Sequence, residues 1–191
     1  MKIGILGGTF NPIHAGHLIL AEEARDKLKL DKIIFMPVNM PPHKDQSELI
    51  KAEHRYEMCA LAVRNNASFE VSNMEIEREG KSYSVETLKE LRKKYGKDAQ
   101  LFFLTGSDSL KELFSWKDVD DIFKLSQFVV AERPGYPIEK LPNEVKVVLI
   151  TPIEVSSSLV RQRVKEGRSI RYLVPDEVRE YIIEHNLYLG K

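Results

Sequence analysis

The chain reads as an α/β protein, a Rossmann-like, mostly parallel sheet with helices on both faces. Two observations predict this. Short apolar runs of strand length alternate with amphipathic segments of about 10 to 15 residues, the βαβ pattern. The first apolar run, Ile3, Gly4, Ile5 and Leu6, ends in paired glycines, as an interior parallel strand entering a tight turn does. At 191 residues the chain is long enough for one well-filled core and short for two. Residues 1–191 are therefore expected to form a single domain, and no repeat, low-complexity tract or Gly/Ser-rich linker divides them.

The elements follow in order. A strand over 2–7 leads past Asn11, Pro12 and Ile13 into a helix over 16–28, which sets Ile19, Leu20, Ala24 and Leu28 on overlapping positions. A second strand, 32–38, runs into Met40, Pro41, Pro42, His43 and Lys44. These form a loop, because proline removes a donor and restricts the residue before it. A helix over 53–65 is patterned by Tyr56, Ala60, Leu61 and Arg64, and a strand over 69–73 follows. Residues 84–95 form a helix through Val85, Leu88 and Leu91 that Gly96 stops. After a strand over 101–105, the spacing of Leu110, Leu113, Trp116, Val119, Ile122 and Phe123 predicts two short helices around Ser115. Strands over 128–131 and 145–150 flank a proline-rich surface excursion, 133–144. Helices over 158–165 and 175–184 complete the chain, with Pro175 in a first helical turn.

Composition points to no charged macromolecular partner. The 29 basic and 29 acidic residues balance, whereas affinity for nucleic-acid polymers rests on a basic field that neutralises backbone phosphates. No polymeric nucleic acid is expected, although a small basic cleft for one nucleotide is compatible with balanced charge. The single cysteine, Cys59, cannot form an internal disulfide, and its neighbours Tyr56, Met58, Ala60 and Leu61 suggest a buried helix face, which fits a reducing compartment. The first residues lack a secretory pattern, and no stretch approaches the roughly 20 apolar residues of a membrane span. The expected location is cytoplasmic, with no membrane partner. Oligomeric state stays open between monomer and homodimer.

Chemically active residue types gather at the predicted strand ends. The sharpest run is Gly7, Gly8, Thr9, Phe10, Asn11, Pro12, Ile13, His14, Ala15, Gly16, His17. Paired glycines turn the backbone closely and leave amide donors for an anion. His14 and His17, three apart at a positive helix end, can point both rings into one cavity. A phosphate is the expected occupant; capping or packing is the alternative. The glycine spacing is neither the dinucleotide fingerprint nor a Gly-Lys-Ser/Thr loop. Zinc would need suitable geometry from His43, His54, His185 or the buried cysteine, and no metal site is expected.

Lys44 is either a mobile charge carried over a cleft by a stiff loop or an exposed lysine on a turn. Arg133, beside Pro134 and Gly135, has the same two readings. In the run from Ser156 to Arg161, one serine suffices to cap a helix. The other hydroxyls, with Arg161, can converge on a phosphate at that helix end. Gly106 and Asp108 follow a strand, where the carboxylate can accept from ribose hydroxyls or simply cap the next helix. Trp116 is either core or a flat face for an aromatic ring. No convincing nucleophile accompanies these anion sites, since the serines lack a strand-to-helix elbow and Cys59 has no base beside it. Direct transfer is therefore favoured: a phosphate-ester acceptor is already anionic, and positioning with charge stabilisation carries the reaction.

Taken together, these motifs resemble the bacterial nicotinate mononucleotide adenylyltransferases, nucleotidyltransferases with a His-x-Gly-His segment. The family pattern Gly-Gly-Thr-Phe-Asp-Pro-x-His-x-Gly-His is matched from Gly7 to His17 except at Asn11. Pro-Pro-His-Lys stands at 41–44, Gly-x-Asp at 106–108, Arg-Pro-Gly at 133–135, and the late Ser-Ser-Thr-x-Ile-Arg motif appears at 156–161 with Ser158 for threonine. The resemblance spans essentially the whole chain. It implies a Rossmann-like fold and adenylyl transfer from ATP to nicotinate mononucleotide, with magnesium carried mainly by the ATP phosphates. It also implies that His14 and His17 contact those phosphates, with His17 nearest the transferred group, and that the backbone from Gly7 through Gly8 and Thr9 to Phe10 helps seat them. Ser157, Ser158 and Arg161 would belong to the triphosphate end, Lys44 would meet phosphate as its loop closes, Gly106 and Asp108 would lie near the nucleotides, and Trp116 would stack on the pyridine ring. The family's Ser-Tyr-Thr, near the nicotinate carboxylate, is here Ser82, Tyr83, Ser84. Asn11 removes a charge beside the phosphate site while keeping the capacity for the same local backbone bond. Rival readings are an acceptor with nicotinamide in place of nicotinate, a phosphopantetheine acceptor, which offers no pyridine to Trp116, and a nucleotide sensor without turnover.

Overall fold

In the computed structural model, which describes residues 1–41, 48–78, 80–107, 113, 115–132 and 141–189, one sheet contains β1 (Lys2–Gly8), β2 (Lys32–Pro37), β3 (Phe69–Val71), β4 (Gln100–Gly106), β5 (Gln127–Glu132) and β6 (Val145–Leu149). Their order is β3-β2-β1-β4-β5-β6, and all the described pairings are parallel. Strand order reverses between β1 and β4, and in such sheets ligands bind outside the carboxyl ends at that point. The chain leaves β1 there through Gly7, Gly8 and Thr9.

The described helices are α1 (Ala15–Leu28), α2 (Ala52–Val63), α3 (Met74–Glu77), α4 (Ser84–Tyr95), α5 (Val119–Leu125), α6 (Ser157–Lys165) and α7 (Asp176–Glu184). They cover both faces. Leu6, Ile33, Phe35, Leu104 and Val129 join α1, α2, α6 and α7 in one core, while Ile3, Ile5, Ile34, Phe103 and Val130 join α4 and α5 in the other. Successive residues of a strand point to opposite faces, so a doubly covered strand must be apolar throughout. This is why the central runs lack polar alternation. Edge strand β6 shows the opposite: Val147 and Leu149 stay exposed.

Several expectations need adjustment. In α2 the buried face is Ala52, Arg55, Met58, Cys59 and Val63 rather than Tyr56, Ala60, Leu61 and Arg64; Arg64 is exposed and pairs with Glu177 at 3.0 Å. The inward stripe was disguised by its own arginine. β3 ends at Val71, and the next residues form α3, too short to leave a helical period. Pro175 precedes α7 as its cap, with extended backbone, and its carbonyl accepts from the Arg179 amide at 3.0 Å. Of the two helices around Ser115, the second is α5; the first falls mostly outside the described residues. α4 begins and ends as the sequence predicts, with Gly96 at a positive φ of 76°. No described helix is long and apolar enough to cross a membrane.

Candidate active site

The turn after β1 is shaped by one ring. Phe10 takes a left-handed φ of 47° and folds back over Gly8, where a Cβ would lie 2.9 Å from the Phe10 Cζ. Only glycine fits under it. Phe10 is buried, and its ring meets Phe35 on one side and the edge of His17 on another, with centroids 5.9 and 5.0 Å away. The hydrophobic wedge thereby fixes the polar residue.

His14 caps α1 and His17 is the third residue of that helix. Their rings stack with centroids 3.7 Å apart and planes 26° from parallel. The His14 amide donates to Nδ1 of His17 at 3.2 Å. An Nδ1 that accepts leaves the neutral ring's proton on Nε2, so the outer nitrogen of His17 is a donor. Gly16 permits the stack, since a Cβ there would lie 3.1 Å from Nδ1 of His14 and 3.6 Å from the Val155 carbonyl oxygen. The second contact shows how near α1 lies to the approach to α6.

Helices α1 and α6 begin side by side. Ser156 caps α6, accepting from the Leu159 amide at 3.1 Å, while the Ser157 hydroxyl donates to the Pro12 carbonyl at 2.9 Å. Arg161 donates through Nη1 to the Asn11 carbonyl at 2.9 Å, and through Nη2 to Glu48 Oε2 at 2.8 Å and, more weakly, to Ser158 Oγ at 3.4 Å. Lys165 takes the other Glu48 oxygen at 2.6 Å. Hydrogen bonds from these two cations hold the Glu48 carboxyl down at about 2. Two helix amino termini, two imidazoles and a guanidinium are thus gathered where an anion is favoured.

Across the β1 turn, toward α4 and α5, lies a cavity of about 180 Å³. Its wall includes Gly7, Gly8, Thr9, Glu75, Ser84, Trp116 and Lys117. Ser84 is the first residue of α4. Trp116 packs its ring edgewise on Phe103 and Phe128, with centroids 5.8 and 6.0 Å away, and it also lines the cavity. Gly106 is the last residue of β4. Lys44, Asp108 and Arg133 lie outside the described residues.

Two residues that sequence reasoning passed over, Arg55 and Glu75, organise this region together with Asn11, which it had read as a local turn residue. Arg55, 1% exposed, donates to four main-chain carbonyls: Thr9 at 2.8 Å, Val38 at 2.6 Å, Asn39 at 2.8 Å and Ile50 at 3.2 Å. One guanidinium thus ties the ends of β1 and β2 to the approach to α2. Burial lowers its pKa, yet a guanidinium stays charged. Glu75, also buried, accepts from the Thr87 hydroxyl at 2.5 Å. Asn11 departs from expectation: its side chain makes long-range bonds. Oδ1 accepts from the Tyr188 hydroxyl at 3.1 Å and the Ile50 amide at 3.4 Å, while Nδ2 donates to the Glu48 carbonyl at 2.9 Å. It is an interior bridge, because at 7% exposure its amide must find partners inside the protein. A charged residue inside an apolar helix stripe was the available signal for Arg55; Glu75 offered none, and the motif mismatch at Asn11 gave no sign of its long-range partners.

Comparison with known proteins places the chain. Residues 5–163 match the Cytidylyltransferase-like family. A protein of Exiguobacterium sibiricum named probable nicotinate-nucleotide adenylyltransferase is 47% identical, over 98% of this chain and 99% of its own. Proteins of the same name from a Thermus thermophilus strain and a Thermoanaerobacter species are 43% and 42% identical, each over 98% of this chain and over 100% and 94% of their own lengths. The fold matches that of Plasmodium falciparum nicotinic acid mononucleotide adenylyltransferase complexed with NaAD, with a TM-score of 0.81 at 21% identity over 98% of this chain and 97% of that one. The chain belongs to the nicotinate-nucleotide adenylyltransferase family.

Proposed function

We propose that this protein transfers the adenylyl group of ATP to nicotinate mononucleotide, giving deamido-NAD and pyrophosphate. The observation that carries the reading is the pair of locked helix starts. Ser157 on Pro12 and Arg161 on Asn11, both at 2.9 Å, fasten α6 to the chain entering α1, and the turn after β1 separates this anion-favouring cluster from the cavity bearing Ser84 and Trp116. Two anionic reagents can thus be held on either side of one main-chain turn.

In this reading a phosphate oxygen of the mononucleotide attacks the α-phosphorus of ATP. The new P–O bond forms as the bond to the α–β bridging oxygen breaks, and that electron pair leaves with pyrophosphate. The attacking oxygen is already anionic, so no proton need be removed from it, and catalysis consists of alignment and charge stabilisation. The Nε2 proton of His17 is directed to the transferred group and His14 contacts the neighbouring phosphate. Ser158 and Arg161 serve the triphosphate end, with Ser157 holding the helix start. Lys44 meets phosphate, and Gly106, Asp108 and Arg133 serve in binding the nucleotides. The pyridine ring lies on Trp116 near Ser84. The whole chain acts as one nucleotidyltransferase domain, with α6 and α7 completing the nucleotide site.

Magnesium would arrive on the triphosphate. Among the described residues no group of three or more His, Cys, Asp or Glu side chains is placed to hold a metal ion. The test is pyrophosphate release with ATP, magnesium and either nicotinate or nicotinamide mononucleotide. A much larger kcat/KM is expected for nicotinate; equal or greater efficiency with the amide reverses the acceptor assignment, and nucleotide binding without turnover supports a sensor.

A further inference from the structure

The cavity wall contains a carboxyl group in an unusual position. Glu75 is 4% exposed, and its Oε2 is buried without a hydrogen-bond partner. Its Oε1 is held by Thr87. Among the described residues no lysine or arginine forms an ion pair with it. Arg78, at the end of α3, is engaged by Glu90 at 2.7 Å and faces Glu86 at 3.8 Å. Lys117, the one cation among the described residues of the cavity wall, is held by Glu86 at 2.7 Å and sits over the Tyr83 ring.

An acceptor whose ring bears a carboxylate would bring a further negative charge into this wall. Repulsion between two desolvated carboxylates is relieved when one takes a proton, and the free oxygen of Glu75 is the available place. Burial already pushes the Glu75 carboxyl up, aided by the Glu90 charge; the Thr87 and Ser82 hydroxyls and Arg78 oppose the rise. A ring filling the cavity removes further water and adds to the same tendency. A carboxamide creates no such repulsion.

We propose that Glu75 is a selectivity residue for the pyridine substituent, taking up a proton when a carboxylate-bearing mononucleotide binds, an uptake that the carboxamide nucleotide does not cause. This rests on the proposed pyridine acceptor. The groups acting on Glu75 are Arg78 from the end of α3, Thr87 and Glu90 from α4, and Ser82 from the chain before α4; Tyr83 and Lys117 share its cavity wall, and Glu86 engages Arg78 and Lys117. None of the cations among them is released to neutralise it.

The experiment measures kcat/KM for nicotinate and nicotinamide mononucleotide from pH 6 to 9, in the wild type and in Glu75→Gln. Both acceptors carry the same phosphate, so their ratio cancels its titration and that of ATP and the histidines. In the wild type the preference for nicotinate should fall with rising pH, approaching about tenfold per unit above the Glu75 pKa, the slope for one linked proton. Glu75→Gln, which stays neutral, should turn over nicotinate mononucleotide with a flat ratio. A flat ratio in the wild type, or an unchanged slope in the variant, overturns the proposal.

Calorimetric titration of wild-type protein with nicotinate and with nicotinamide mononucleotide, in buffers of different ionisation enthalpy, reads the uptake without any variant, the proton count being the difference between the two ligands, in which the shared phosphate cancels. A proton count near one supports the proposal and a count near zero overturns it, even if Glu75→Gln does not fold. Absence of pyrophosphate release with either acceptor would instead defeat the proposed reaction and leave this proton count to be judged by itself.

Discussion

Glu48 occupies Arg161: its Oε2 accepts from Nη2 at 2.8 Å while Lys165 holds Oε1 at 2.6 Å. If Arg161 serves the triphosphate, its pairing to Glu48 competes with that role and leaves a like charge beside the phosphates. Glu48→Gln should therefore lower the KM for ATP by up to about fivefold, the range for an exposed pair, with little change in kcat. A raised KM would mean that Glu48 orients Arg161 for the ligand. The same carboxyl supplies a pH signature. Because its pKa falls from 4.5 to about 2, its contribution to stability is full above 4.5 and is lost as pH falls toward 2. The loss should be absent in the variant, as acid unfolding curves would reveal.

His17 has separable roles. Its Nδ1 accepts from the His14 amide, and its Nε2 proton is the proposed phosphate donor. His17→Asn can retain an acceptor at the first position while deleting the second, whereas His17→Ala deletes both. Both should lower kcat at least about tenfold, roughly 1.4 kcal/mol of transition-state stabilisation, but the alanine variant should also lose about 1 kcal/mol of stability as its helix start loses a bond. Near-normal turnover by the asparagine variant would remove His17 from the chemistry.

The sequence was most readable where structure is local or periodic. The β1 run, the paired glycines and α4 with its terminal Gly96 follow from spacing and backbone preference alone, and the first two already point to the carboxyl end of β1 as the candidate site. Residues acting at long range stayed hidden. Asn11 meets Tyr188, 177 positions away, and Arg55 gathers carbonyls from Thr9 to Ile50. Neither relationship has a period. Glu75 sits on a helix of four residues, and nothing around it distinguishes a buried acid from a solvated one until α4 is packed beside it.

Arg55 should matter more to stability than its single charge suggests. Its guanidinium is buried among four main-chain carbonyls of half-buried residues, and an apolar side chain of similar length would remove the donor from each. Arg55→Met should cost about 3 kcal/mol or more, while Arg55→Lys, which keeps the charge but loses the fork, should cost less. Urea unfolding of both variants provides the comparison. Equal stability in Arg55→Met would show that these loops are held by other contacts.

Asn11 offers the sharpest contrast with the family motif, where aspartate stands. Here Nδ2 donates to the Glu48 carbonyl at 2.9 Å. A carboxylate can keep the bonds from Tyr188 and Ile50, but it would set one oxygen against another at Glu48. Asn11→Asp should lose about 1–3 kcal/mol near pH 8. The new carboxyl's pKa should be raised, because its protonated form can donate to that carbonyl and its charged form cannot. The sign then follows: the variant regains stability as pH falls through the raised value, and the deficit returns as pH rises through it. Thermal unfolding of both proteins between pH 5 and 8 reads this directly. A deficit that does not depend on pH, or a variant more stable at pH 8, would mean that Arg161 or Arg55 neutralises the carboxylate and that the amide bridge is not what holds this corner together.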